Sequence, residues 1–123
     1  KFLDDGLRVG LATDVAGGSH ESMLRAMTHA IQASKLRWRL YDQEVKPLPF
    51  ERAFYLATMG GGAFFGNVGS FLDGYEFDAV VLDDASLDHP QELSVRARLE
   101  RAAYLADDRN LTAKFVAGQK ILG

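Results

Sequence analysis

The chain has 123 residues, of which 47% are hydrophobic and 25% are charged, a composition typical of one soluble globular domain. A net charge of -3, without a basic cluster interleaved with aromatic residues, argues against a nucleic-acid partner. The apolar runs are far shorter than the roughly 20 residues that cross a bilayer, so no membrane partner is expected. Because the chain has no cysteine, disulfides and thiolate metal sites are excluded, and the reducing cytoplasm is the expected compartment.

The first elements of the chain are a predicted strand and a predicted helix. Residues 8–13 are mostly apolar and predict a short buried strand, in which Gly10 permits close approach of another backbone. A loop over residues 14–18 follows. Ser19 is a candidate cap for a helix that runs to about Trp38, because apolar residues recur there at three- and four-residue steps.

A second helix is predicted over residues 49–59, with Pro49 in its first turn. Three consecutive glycines, Gly60 to Gly62, weaken or end that helix. They could instead suggest a phosphate-binding loop. However, such a loop ends in Gly-Lys-Ser/Thr and precedes its helix, and neither condition is met here.

The second half of the chain is predicted to be rich in strands. Its four predicted strands are residues 68–72, 77–83, 112–116 and 120–122. Asp73-Gly74 is the predicted turn between the first two, and Gly118 lies in the turn between the last two. Residues 84–94 are polar and predict a surface loop, and Val95–Leu105 has helical spacing. The change of pattern near Gly66 is the best candidate domain boundary.

Asp14 is the candidate functional residue. A carboxylate directly after a buried parallel strand lies at the mouth of an α/β sheet or barrel, where such folds place their chemistry. A carboxylate can bind a metal ion or take a proton from metal-bound water. From spacing alone, a structural role is the more economical interpretation, since an aspartate in this position also caps turns and helices.

Other polar residues give weaker signals. His20, His29 and His89 are not at the spacing of metal ligands, and His29 is expected to face solvent. His20 is close to Asp14 in sequence and could edge the same pocket, although a surface role is the simpler interpretation. The charged turn from Asp107 to Asn110 is adequately explained by local ion pairs at the end of a helix.

Taken together, several motifs resemble the guanine deaminases of the metal-dependent amidohydrolase superfamily. The matching stretches are "GLATDVAGG", "SML", "AFYLATMGGGAFFG", "VGSFLDGYEFDAVVLDD", "YLADDRN" and "FVAGQK". They follow the order of that family and cover nearly the whole chain, but they correspond to the C-terminal part of the family only. "TDVAGG" and "YLADDRN" are the more specific pieces, because many related amidohydrolases share "EFDAVVLD".

The resemblance implies an α/β fold in two parts. Residues 1–66 correspond to the last strand-helix part of a (β/α)8 amidohydrolase barrel, and residues 67–123 to a C-terminal piece of the flanking small β-rich domain. Asp14 then corresponds to the aspartate that closes the last barrel strand, ligates a catalytic zinc and helps to move the proton of the bound water. The implied reaction is hydrolysis of guanine to xanthine and ammonia, with a zinc-bound hydroxide attacking C2 of the purine.

Several groups that the resemblance requires are missing from this chain. The family's histidine ligands, which include an HxH pair, and its proton-shuttling glutamate lie upstream. Since the chain begins at Lys1 and a barrel needs roughly 250 residues, we expect a longer parent protein. The expected partners are guanine, the rest of the enzyme chain, and further copies in a homo-oligomer. Two alternatives stay open: an amidohydrolase acting on another amino- or chloro-heterocycle, or a non-catalytic fragment.

Overall fold

The computed structural model of the chain describes residues 4–123. Helix α1, Met23–Leu40, is the longest element and confirms the first predicted helix. Its cap is Ser22, whose hydroxyl accepts a hydrogen bond from the Arg25 N–H, and not Ser19. The helix therefore begins later than predicted, because residues 19–21 still belong to the loop that follows Asp14.

Helix α2, Phe50–Tyr55, confirms the second predicted helix, with Pro49 as its N-cap. It continues as a π-helical turn over Leu56–Gly60, and the helical path runs on to Gly62. The helix therefore does not end at Gly60, the first residue of the glycine triplet. Its residues instead come close to two neighbouring segments: a Cβ on Gly60 would lie 2.7 Å from the Val9 carbonyl oxygen, and one on Gly62 would lie 2.3 Å from that of Val68.

The predicted strand over residues 8–13 does not form among the described residues, since the segment belongs to no ladder within residues 4–123. The Leu11 N–H donates to the Leu56 carbonyl oxygen at 2.9 Å, which ties the segment to the π-helical turn. The expected close approach at Gly10 is confirmed, because a Cβ there would lie 2.9 Å from the Cα of Gly61. An apolar segment becomes a strand only where a neighbour supplies backbone partners, and no described residue does so here.

The second half contains one antiparallel sheet with the strand order β1-β2-β3: β1 is Ala79–Leu82, β2 is Leu111–Val116 and β3 is Gln119–Leu122. The predicted strands near residues 77–83, 112–116 and 120–122 are therefore confirmed. The hairpin turn between β2 and β3 is also confirmed, with positive φ angles at Ala117 and Gly118. The register pairs Val80 with Lys114 and Val116 with Gln119.

The predicted strand over residues 68–72 is wrong, and so is a hairpin joining it to β1. This segment is irregular, and Gly69 has a φ of +83° and packs so closely that a Cβ would lie 2.5 Å from the Thr58 carbonyl oxygen. Asp73-Gly74 does form a turn, with the Tyr75 N–H bonded to the Leu72 carbonyl, but it joins no strands. β1 pairs instead with β2, about thirty residues further along the chain.

Helix α3, Val95–Leu105, is confirmed and is capped by Ser94. The predicted loop over residues 84–94 is also confirmed. Arg101 holds that loop against α3 by donating to the carbonyl oxygens of Leu87 and Asp88. A small core joins α1, α2 and α3; its buried members are Met27, Ile31, Phe50, Ala53 and Ala103. None of the described helices is both long and apolar enough to span a membrane.

Candidate active site

Asp14 follows directly on the extended segment that crosses the π-helical turn. Its backbone is left-handed, with a φ of +51°, a conformation that aspartate tolerates better than most residues. The carbonyl oxygen of Asp14 accepts hydrogen bonds from the N–H groups of Gly17 and Gly18. The tight turn therefore leaves the side chain of Asp14 exposed at the end of the segment.

The turn after Asp14 folds closely over its two glycines. A Cβ on Gly17 would lie 2.7 Å from the Asp14 Oδ2 atom, the end of a flexible side chain, so a substitution there would displace the carboxylate. A Cβ on Gly18 would lie 2.0 Å from the carbonyl oxygen of Thr13. The glycine pair thus accommodates both the carboxylate and the backbone that delivers it.

A pocket of about 280 Å³ lies beside this turn and is formed by the loop that leads into α1. Its lining residues are Val15, Ala16, Gly18, Ser19, His20 and Glu21. The Nδ1 atom of His20 accepts a hydrogen bond of 3.0 Å from the Ser22 N–H, which ties the ring to the cap of α1. His29, exposed on α1 as expected, has its Nδ1 atom 3.5 Å from the Ser19 hydroxyl.

The described residues do not by themselves complete a metal site. Within residues 4–123, no group of three or more His, Cys, Asp or Glu side chains is placed to hold a metal ion. The third histidine, His89, lines a separate pocket against α3. Asp14 nevertheless fits the role of one ligand, because its carboxylate is exposed and accepts no hydrogen bond from this part of the chain.

The charged turn after α3 is more than a set of surface ion pairs. Asp107 accepts hydrogen bonds from the Arg109 guanidinium and backbone N–H, and these contacts lower the pKa of its carboxyl to about 2. Asn110 is buried and its side-chain oxygen accepts from the Asp107 N–H. The Asn110 amide also donates to the Asp83 carbonyl at 2.8 Å and to the Ser86 hydroxyl at 3.0 Å.

Sequence reasoning missed the role of Asn110. This residue joins the start of β2 to the end of β1, through its side chain and through its carbonyl oxygen, which accepts from the Asp83 N–H. The available signal was the capping-box pattern, in which Asp107 is followed three residues later by an amide side chain. That pattern predicts the turn before β2, but it does not predict that Asn110 also binds the end of β1.

Comparison with known proteins places this chain in a family. The model of the amidohydrolase family matches residues 1–121, nearly the whole chain. The chain belongs to the amidohydrolase family. Among its curated relatives are the guanine deaminases of Dictyostelium discoideum and Homo sapiens, each 33% identical to this amidohydrolase over 98% and 99% of its length. The chain spans only 28% and 29% of those two proteins.

Solved structures agree with the sequence comparison. The guanine deaminase of C. acetobutylicum, solved with guanine bound in its active site, matches with a TM-score of 0.92 and 41% identity. The match covers 98% of this amidohydrolase and 29% of that chain. The guanine deaminase of E. coli matches with a TM-score of 0.79 and 28% identity over the same 98% of this chain. The arrangement of helices and small antiparallel sheet is therefore that of an amidohydrolase.

Proposed function

We propose that this amidohydrolase chain is the C-terminal part of a longer enzyme that hydrolyses guanine to xanthine and ammonia. The observation that carries the proposal is the match over 98% of the chain to a guanine deaminase with guanine in its active site. The curated relatives named above are guanine deaminases as well, from a slime mould and from a mammal. The proposal concerns the whole protein, because the chain spans under a third of each of these relatives.

Asp14 is the residue of this chain that we assign to the reaction. Amidohydrolases are in general metal-dependent, and we propose zinc as the metal, which when bound lowers the pKa of a coordinated water. The exposed carboxylate of Asp14 supplies one metal ligand. A carboxylate in this position can also hold the proton that the water loses, since it accepts no hydrogen bond from residues 4–123.

The extended segment before Asp14 sets the position of its carboxylate. The hydrogen bond from Leu11 to Leu56 and the contact of Gly10 with Gly61 fix the segment against the π-helical turn. We propose that residues 8–13 become the last strand of a (β/α)8 barrel when the preceding strands are present. Backbone groups of this segment that have no partner within residues 4–123 then pair within the barrel.

Exposed apolar surface supports a longer protein with two parts. Large side chains are exposed on both sides of residue 66; among them are Tyr41, Phe65, Phe71, Val95 and Ile121. Large apolar side chains exposed in this number are what a surface covered by further protein would leave behind. We propose that the rest of the enzyme chain covers it, with residues 1–66 completing the barrel and residues 67–123 completing a β-rich domain. Residues 1–3 of the first part lie outside the described residues.

The test uses the full-length protein with Asp14→Ala and Asp14→Asn, assayed for xanthine formation from guanine and for bound zinc by mass spectrometry. Both variants should lose turnover by orders of magnitude and lose much of their zinc. Asp14→Asn preserves the volume over Gly17, so its circular dichroism and melting temperature should match the wild type. Asp73→Asn, which changes an exposed carboxylate in a turn far along the chain, is the matched control and should keep full activity and zinc.

Two results would contradict parts of this proposal. Wild-type protein that hydrolyses another amino-heterocycle and not guanine would reject the substrate. Near-wild-type turnover in well-folded Asp14→Asn would reject the role of Asp14 while leaving the substrate unchanged.

A further inference from the structure

The imidazole of His20 is held in a defined state by the backbone. Its Nδ1 atom accepts the Ser22 N–H at 3.0 Å, and Ser22 is the cap of α1. In a neutral imidazole, one ring nitrogen accepts and the other carries the proton. The bond to Ser22 therefore assigns the proton to Nε2, which makes no hydrogen bond within residues 4–123.

The position of His20 places its ring in the wall of a pocket. His20 lines the pocket of about 280 Å³ beside the Asp14 turn. The other ionisable residue of the lining is Glu21, whose ionised carboxylate can only accept. Ser19, the remaining polar residue of the lining, lies against His29. His20 thus supplies the one imidazole among the lining residues, in the loop that directly follows the Asp14 turn.

We infer that His20 is a specificity-determining residue, whose Nε2–H donates a hydrogen bond to an acceptor atom of the purine. The inference rests on the proposed function, since it requires guanine to bind beside Asp14. Guanine carries such acceptors on its carbonyl oxygen and its N7 atom. The Ser22 bond orients the ring before the substrate arrives, so little ordering is needed on binding.

Two amide substitutions separate substrate binding from a purely structural role. In His20→Asn, the side-chain oxygen can still accept the Ser22 N–H, but the outer donor is lost. In His20→Gln, the longer side chain places an NH₂ donor near the position of Nε2, and the Ser22 bond is lost. A substrate contact predicts that Gln is the better replacement, whereas a structural role predicts that Asn is.

The variants are made in the full-length protein, and the KM for guanine and the Kd for xanthine, the non-reacting product, are measured. His20→Asn should raise both roughly 2- to 13-fold, the range that one neutral hydrogen bond usually contributes. Its kcat should stay within about twofold of the wild type, as expected for loss of uniform binding. His20→Gln should lie closer to the wild type, and the zinc content of both variants should be unchanged.

His89 provides a matched control. Its Nδ1 atom likewise contacts the residue two positions on, lying 3.2 Å from both the backbone N–H and the carbonyl oxygen of Gln91, but His89 lines the other pocket, against α3. His89→Asn and His89→Gln should leave KM, Kd and zinc content unchanged. Wild-type values in His20→Asn, or a larger loss in His20→Gln than in His20→Asn, would overturn the inference.

The xanthine titration separates this inference from the proposed function. If the wild type binds xanthine but forms none from guanine, the proposed reaction is rejected, and the two His20 variants still decide the purine contact. If the wild type binds no purine at all, both proposals are rejected.

Discussion

Two adjacent glycines of the π-helical region should respond in opposite ways to the same substitution. Gly61 has helical angles, φ -69° and ψ -44°, and the atom closest to a new Cβ would be the Leu56 carbonyl oxygen at an ordinary 3.5 Å. At Gly60 the new Cβ would lie only 2.7 Å from the Val9 carbonyl oxygen. Since that oxygen belongs to the backbone of the segment that leads to Asp14, it cannot move aside as a flexible side chain would.

The expected magnitudes follow from these contacts. Replacing glycine by alanine in a helix stabilises the folded state by roughly 0.5–1 kcal/mol, and this gain applies to both positions. Inserting a methyl group into a tightly packed site costs about 1–3 kcal/mol, and this applies to Gly60 alone. Gly60→Ala should therefore be less stable than Gly61→Ala by about 1–3 kcal/mol, because the helix gain cancels in the comparison.

Both variants are made in the full-length protein, and their free energies of unfolding are compared by urea titration. The comparison is valid where the m values of the two variants agree. Hydrogen exchange of residues 8–13 gives a local readout, because the Leu11 N–H bonds to the Leu56 carbonyl. Exchange there should accelerate in Gly60→Ala and not in Gly61→Ala. Equal stability and equal exchange in the two variants would show that the segment before Asp14 does not pass this close to Gly60.

Three further outcomes are expected. Residues 1–123 expressed alone should form no xanthine and hold no stoichiometric zinc, as measured by product assay and mass spectrometry, because a catalytic zinc site normally has three protein ligands. The Asp107 carboxyl, whose pKa is held at about 2, should show no NMR titration between pH 7 and pH 4. In the Arg109→Gln variant, the same Asp107 carboxyl should begin to titrate in that range, because its main partner is lost. Because the pKa of Asp107 is lower in the folded state than the value of 3.8 in the unfolded chain, the ionised carboxyl stabilises the fold at pH values above 3.8. This stabilisation is lost as the pH falls toward about 2. Asn110→Ala should lower the free energy of unfolding by about 1–3 kcal/mol in urea titrations, because it leaves buried partners unpaired; an unchanged midpoint would contradict this role.

The sequence by itself determined the elements that are closed by local hydrogen bonds. The helical spacing of residues 95–105 predicted α3 at its observed bounds, Val95–Leu105, and the glycine at residue 118 predicted the hairpin of β2 and β3. In such elements each residue bonds to a partner only a few positions away, so nearby residues carry the information. The motifs around Asp14 also identified the amidohydrolase family, which the family match confirms.

Tertiary structure decided every feature whose partner lies far along the chain. Residues 8–13 have the composition of a strand, yet they form no ladder with any described residue, because a parallel strand needs neighbours that local sequence does not supply. β1 was predicted, but its pairing with β2 was not, because many apolar segments could supply the same backbone bonds. The glycine triplet was also ambiguous from sequence alone, because both a helix end and a close backbone contact favour a residue without a Cβ atom. Only the position of the Val9 carbonyl, 2.7 Å from where a Cβ on Gly60 would lie, shows which requirement applies.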